Sequence, residues 1–377
     1  IPQQNTQSIP LSEACEKFIA THRSGWKATG GMEQSYRTTM FPFLIDIVSD
    51  IPTCDLKKIH ITDLVEILHV YPANKNKKFE YQYLSAKDFI NIDTPDEDRM
   101  SPITKKKYLT QIGSFLRWLK SSDFTSIDLD APLKIRIQTA RPVDQRSAFS
   151  NDELRKIFNS KEYLQGRHST ASRFWVPLIG IFTGARLNEI CQLSVNDIQE
   201  EPTTKRWVFS FNQDTTDNPK KSIKRTHHAR LVPVHKNLIE LGFIDYVKAT
   251  KKKHKRLFPE LPYVNDANKY GDRLQRWFNR TYLKSKKHCG ITREGTSFHS
   301  LRHTVMSHLA TDHKVTGNQV ASGMGHATKG NEFDIRYAKT GDYNAYAKYF
   351  DLINFKDAFD LKLIKPWKFH VFARIAK

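Results

Sequence analysis

Mainly α with a small β-sheet, an α+β chain in two domains, is the fold class that three features of this sequence predict. Apolar residues recur at three- and four-residue steps through most of the first 125 positions. Two short runs rich in β-branched and aromatic residues, Arg206 to Phe211 and Ala229 to Val234, stand close together in an otherwise helical second half. Between the halves, residues 128 to 148 lose all periodicity and collect Asp128, Asp130, Pro132, Arg141, Pro142 and Asp144. At 377 residues there is chain enough for two separate cores. The organisation that follows is a helical domain over 1–127, a linker over 128–148, and a second domain with a C-terminal tail over 149–377.

Taken in order, the first helices are expected over roughly 11–22, 32–49 and 61–70. The clearest helix follows Ser101-Pro102, where Ser can cap, Pro suits the first turn, and Tyr108, Ile112, Phe115, Leu116 and Leu119 form one apolar face. Ser150 opens the second domain, with Glu153 at the capping-box position. Arg173 to Cys191 reads as a buried helix interrupted around Thr183 and Gly184, so that Arg186 begins a new turn. The two strands form a hairpin-like unit joined by a polar, Lys-rich connection, and from Asp272 onward the chain is helical again. Residues 350–377 include Phe355, Phe359, Leu361, Leu363, Ile364, Trp367, Phe369, Val371 and Phe372. So much apolar surface is expected to dock, on its own domain or on a neighbouring protomer.

Charge is distributed unevenly. Residues 1–150 hold 20 Lys and Arg against 18 Asp and Glu, while residues 151–377 hold 40 against 22. Nearly all of the net +20 therefore lies in the second part. A localised basic surplus suits a polyanion, because each neutralised phosphate releases condensed counterions; by itself it does not separate DNA from RNA or acidic lipid. The run Lys251 to Arg256 is either a phosphate contact or a solvated helix end. Cys15, Cys54, Cys191 and Cys289 are far apart and lack paired metal-ligand spacing, which points to reduced thiols in a cytoplasmic protein with no zinc site. No apolar run approaches a bilayer span, and no signal peptide is visible at the start.

The residues that carry chemistry come in a fixed order. Arg186 sits in Thr-Gly-Ala-Arg-Leu-Asn-Glu-Ile, and His299 and Arg302 in His-Ser-Leu-Arg-His-Thr. His326 sits in Met-Gly-His, eleven residues before Tyr337 in Asp-Ile-Arg-Tyr-Ala. Two guanidiniums suit the non-bridging oxygens of a phosphodiester, since each is always charged and offers planar paired donors. A tyrosine phenol can attack phosphorus and store the bond energy in a covalent link. His299 and Arg302, three apart, share a helical face. Arg186 can equally pair with Glu189 on the next turn. His303, His308 and His313 read as structural or surface residues.

Order, spacing and flanking residues together resemble the tyrosine recombinase, or phage integrase, family over roughly residues 147–350. The resemblance implies a helical, SAM-like core-binding domain and a mixed α/β catalytic domain forming a C-shaped clamp on duplex DNA. It implies Arg186, Lys224, His299, Arg302, His326 and Tyr337 as catalytic residues, with Glu189 holding Arg186. Lys224 would protonate the leaving 5′ oxygen, although Lys220, Lys221 and Arg225 compete for that position. His299 would accept or orient a proton, and His326 would donate to the phosphate. Tyr337 would be the nucleophile forming a 3′-phosphotyrosyl link, with Tyr343, then Tyr346 and Tyr349, as rivals. Neither metal nor cofactor is implied.

By the same resemblance the partners are double-stranded recombination sites, three further copies of the chain in a homo-tetramer that passes through a Holliday junction, and DNA-bending or directionality factors. The location implied is the cytoplasm, on the nucleoid. Lys105, Lys106, Arg136, Arg141, Arg225, Arg230 and Lys252 are the expected DNA contacts. The segment Thr226 to Gly242 is similar to phage and genomic-island integrases, which makes integration or excision of a mobile element the expected task. A type IB topoisomerase-like relaxation activity and a catalytically silent architectural DNA-binding protein are the alternatives.

Overall fold

A computed structural model of the protein describes residues 8–26, 31–135, 137, 148–222, 229–265, 269–316, 323–324 and 343–367. The chain divides into two compact units between Ala140 and Arg141.

The first unit is helical. Its helices are α1 (Leu11–His22), α2 (Gly31–Ser35), α3 (Phe41–Val48), α4 (Lys58–Val70) and α5 (Pro102–Ser121). One continuous helix was expected over 32–49, but α2 and α3 are joined by a π-helical turn, Tyr36–Met40. Pro42 supplies the reason: it lacks an N–H, and its ring crowds the carbonyl of Thr38, four residues back inside the widened turn. Ser101 caps α5 by accepting from the Thr104 N–H, and the face predicted for that helix is the buried one. Between α4 and α5 the chain makes an excursion closed at its neck by Ala73 N–H to Asp98 O and Met100 N–H to Tyr71 O. The core centres on Phe18, which packs edge-on against Tyr36, Phe41, Phe115 and Trp118. The stretch read as the start of a linker is tied into this unit: Leu129 and Leu133 are buried, and Asp130 accepts from Arg117 at 3.0 Å. Sequence periodicity misses them because the apolar side chains that make the contact, Leu129, Leu133 and Ile137, stand in a stretch without a helical or strand repeat.

The second unit begins with α6 (Asn151–Phe158), whose Ser150 and Glu153 exchange the two hydrogen bonds of a capping box. After α7 (Lys161–Leu164) come α8 (Ala171–Thr183) and α9 (Leu187–Cys191). A three-stranded antiparallel sheet follows, β1 (Ile198–Glu200), β2 (Trp207–Phe211) and β3 (Arg230–Pro233), in spatial order β1-β2-β3. Val208 faces Pro233 and Phe211 faces Arg230 across the β2–β3 pair. β1 was not expected; three residues with one buried side chain leave no alternation to read. Then come α10 (Lys236–Glu240), α11 (Phe243–Lys251), α12 (Asp272–Arg276), α13 (Phe298–Thr311) and α14 (Tyr343–Asp351). α8 is almost wholly buried and crosses α13 at Gly180, where a Cβ would lie 2.8 Å from the Phe298 ring and 3.2 Å from Leu301. That close approach brings the ends of the two helices together.

The C-terminal segment packs on its own unit. Phe355, Phe359 and Ile364 are buried, and Phe359 stacks on Phe158 at 4.5 Å. Trp367 Nε1 donates to His168 O at 3.1 Å, and the Lys365 N–H to Tyr163 O at 3.2 Å. Phe369, Val371 and Phe372 lie outside the described residues. Cys15, Cys191 and Cys289 are buried thiols and Cys54 an exposed one. Among the described residues, no helix is long and apolar enough to cross a membrane.

Candidate phosphate-binding site

The sequence Thr183-Gly184-Ala185-Arg186 is a helix stop followed at once by a helix start. Gly184 ends α8 in the left-handed region, φ +62°, and a Cβ there would meet the Met324 side chain at 2.9 Å. Arg186 is then extended and forms the N-cap of α9, a placement that holds its partly buried side chain at the seam between the two helices. Its N–H donates to Glu189 Oε2 at 3.0 Å and its guanidinium to Glu189 Oε1 at 2.9 Å. The Arg186–Glu189 pairing that the spacing allowed is therefore present.

Glu189 is buried and also accepts from Arg230 Nη2 at 3.0 Å. Burial pushes its carboxyl up, but the charge of Arg230, the Arg186 N–H and the Arg186 guanidinium overcome this and hold it at about 2. It is an anion at every pH of interest.

Arg302 enters from α13. It is 1% exposed, and its Nη1 donates to Gly184 O at 2.7 Å. Its Nε and Nη2 are buried and have no hydrogen-bond partner among the described residues. Burial, and then the charges of Arg186 and Arg230, press its guanidinium down to about 9, with Glu189 opposing them. Two arginines thus hold one carboxylate and a third lies within reach of their charges, leaving a local charge of two positives and, on Arg302, unfilled donors. Such an assembly is costly until an anion enters. His299, one turn before Arg302 on α13, is half-buried, with its ring 5.0 Å from that of His303.

One expectation needs correction. Arg230 was expected to contact DNA, yet its side chain is 4% exposed. It is held by Glu189, by Gly323 O at 2.9 Å from Nε, and by the Phe211 ring at 4.6 Å. Arg230 shares a face of β3 with the buried Val232, so the strand turns this arginine inward. Lys105 donates to His69 O at 2.7 Å, satisfying a carbonyl in the last turn of α4. Lys106 and Lys252 are exposed. In the basic run, Lys251 to Lys253 are exposed, but Arg256 is structural: it lies 3.8 Å over Tyr270 and donates to Leu261 O.

The competing lysines are engaged elsewhere. Lys221 is buried, with Nζ 2.7 Å from both Asp197 oxygens and 2.6 Å from Asn212 Oδ1. Lys220 donates to Asn265 Oδ1 and lies 4.4 Å over the Tyr263 ring. Among the rival tyrosines, Tyr343 is buried, with its phenol pushed up by burial, and Tyr346 donates to Leu231 O at 2.6 Å. His308 accepts the Asn354 N–H and pairs with Asp312 at 2.7 Å, so it braces the tail. Lys224, Arg225, His326, Tyr337, Arg136 and Arg141 lie outside the described residues. No cluster of potential metal ligands occurs among the described residues.

What sequence reasoning missed is the role of Arg230 and of the Gly184 carbonyl. An arginine on the inward phase of a strand is a weak signal of burial, and a carbonyl acceptor leaves no signal at all.

Residues 148–339 match the family model described as the phage integrase family. The Tn1549 transposon integrase in complex with transposon right end DNA is similar in structure, at TM-score 0.55 and 15% identity, covering 90% of this chain and 100% of that one. The same integrase in complex with circular intermediate DNA gives 0.52 and 15%, covering 87% and 95%. A lambda integrase dimer bound to a COC′ core site gives 0.50 and 13%, covering 89% and 79%. No curated protein sequence matches the chain.

Proposed function

The chain belongs to the phage integrase family and is a site-specific tyrosine recombinase, and from that premise we propose that the Arg186–Glu189–Arg302 cluster is its scissile-phosphate clamp. The observation that carries this is the Arg302 guanidinium, fully buried, fixed by Gly184 O, and left with two open donors beside a second arginine. A phosphodiester carries one negative charge and its pentacoordinate transition state two, so a site poised at about two positives favours the transition state over the ground state.

In the proposed reaction the Tyr337 phenol oxygen attacks the scissile phosphorus and loses its proton, with His299 as acceptor or orienter. The P–O5′ bond breaks, Lys224 protonates the departing 5′ oxygen, and a 3′-phosphotyrosyl link remains. His326 donates to a non-bridging oxygen. Attack by a 5′ hydroxyl of the partner strand reverses each step, which conserves the bond energy without ATP. The engagement of Lys220 and Lys221 elsewhere supports Lys224 as the acid, and the burial of Tyr343 and Tyr346 supports Tyr337 as the nucleophile. The domains of the proposal are a core-binding unit ahead of the connector and a catalytic unit after it, working on double-stranded sites as a tetramer that passes through a Holliday junction. DNA-bending or directionality factors assist, in the cytoplasm on the nucleoid, and the task is integration or excision of a mobile element. The DNA-bound states named for the similar integrases agree with this partner.

A suicide DNA substrate, nicked beside the cleavage point and incubated in EDTA, tests the proposal. Wild type is expected to form a denaturation-resistant protein–DNA adduct that Tyr337→Phe does not form. An adduct retained by that variant moves the nucleophile to another tyrosine, and no adduct from wild type on a site it binds overturns the reaction.

A further inference from the structure

We infer that Arg230 is a positioning residue: by dividing Glu189 between two guanidiniums and fixing the chain at Gly323, it sets the position from which Arg186 meets the phosphate. The inference rests on the strand-exchange reading above.

Glu189 has two oxygens and two cationic partners. Oε1 takes the Arg186 guanidinium at 2.9 Å, while Oε2 takes the Arg186 N–H and Arg230 Nη2, both at 3.0 Å. With Oε2 so occupied, Arg186 holds Glu189 through Nη1 rather than in a two-pronged side-chain pair. If Arg230 were removed, Glu189 would be a buried carboxylate whose guanidinium partner is Arg186, and it would draw Arg186 into a tighter pair. The local charge would also fall from two positives to one.

Three features make Arg230 suited to hold this position. Its planar fork spans two acceptors, Glu189 from Nη2 and Gly323 O from Nε at 2.9 Å, while its face stacks on Phe211 at 4.6 Å; an ammonium cannot do all three. Its base is rigid, since β3 is paired to β2 and Leu231 O accepts the Tyr346 hydroxyl at 2.6 Å. Its second partner is equally fixed: a Cβ at Gly323 would lie 2.7 Å from the Phe350 ring, so the chain is wedged there against α14. Gly323 precedes His326 by three residues in the sequence. One buried guanidinium therefore joins β3, α9 and the Gly323 backbone.

A residue acting through Glu189 and a residue contacting DNA predict different patterns. Single-turnover adduct formation on the suicide substrate and equilibrium DNA binding would be measured for the full chain as wild type, Arg230→Gln, Arg230→Lys, Glu189→Gln and the Glu189→Gln/Arg230→Gln double variant, with Tm as a folding control. Arg230→Gln is expected to slow adduct formation about 10²-fold with affinity changed less than about threefold, the scale of a misplaced catalytic group. Arg230→Lys, which keeps a charge beside Glu189, is expected to recover about tenfold of that and to unfold near wild type. In the Glu189→Gln background the Arg230→Gln change is expected to cost less than about threefold, because coupled residues are not additive. Wild-type rates in Arg230→Gln, a loss in affinity alone, or fully additive effects would each overturn the inference while leaving the recombinase reading in place. No adduct from wild type overturns both.

Discussion

At the scale of single residues, the proposed phosphate clamp carries a cost in stability. Arg302 is a buried cation beside two others, and burial and those charges hold it near 9. Arg302→Met, which fills similar volume without charge, is expected to leave stability in phosphate-free buffer unchanged or raised by about 1 kcal/mol. The same change should reduce adduct formation at least about 10³-fold, since it removes the two unpartnered donors of the proposed clamp. Added inorganic phosphate should raise the Tm of wild type and not of this variant, because only a filled site stabilises the folded state. Glu189→Gln acts in the opposite sense. It leaves three guanidiniums without their anion and is expected to cost about 3 kcal/mol in chemical denaturation. Both signs are needed: a destabilised Arg302→Met with no phosphate effect would show a structural ion network instead of an anion site.

At the scale of elements, the site depends on where α8 stops and on what the chain end covers. Gly184→Ala puts a side chain at φ +62° and against Met324, and is expected to cost about 1–3 kcal/mol and to displace the carbonyl that orients Arg302. Its adduct yield should fall more than its Tm would suggest. The tail is part of the second unit's core, since Phe359 stacks on Phe158 and Trp367 is tied to His168. Phe359→Ala should therefore destabilise by about 3–5 kcal/mol. Were unfolding unchanged on that substitution, the tail's docking would contribute nothing to this unit's stability. The capping box at Ser150 and the apolar face of α5 could be read in the sequence, because both are set by contacts three or four residues apart. The π turn before Pro42 and the strand β1 could not, since neither leaves a repeating pattern.

For the whole molecule, pH sets a limit on the second unit's stability. Burial holds His168 at about 3 and His235 at about 4, both neutral, with His235 Nδ1 accepting the Asn237 N–H at the start of α10. Their folded values lie below the ordinary one of about 6.5. As pH falls below that value the unfolded chain takes up protons that the folded chain refuses, so stability declines, levelling below about 4 for His235 and about 3 for His168. Glu189 adds to the loss only at lower pH: its contribution is complete above the ordinary carboxyl range and vanishes as pH falls toward about 2. Denaturation at pH 5 against pH 7.5 is expected to show a drop of about 2–4 kcal/mol, and replacing His168 by Phe should remove part of it. The sequence by itself determined the helical and mixed halves, the basic bias of the second, and the ordered set of Arg, His and Tyr motifs, because these are properties of composition and of neighbours along the chain. Only the tertiary structure decided that Arg230 is buried on Glu189, that Arg302 is fixed by Gly184, and that Lys220 and Lys221 are engaged elsewhere. Those contacts join residues from 9 to 118 positions apart, none of them at a helical or strand repeat, and burial and charge pairing of that kind are settled by packing.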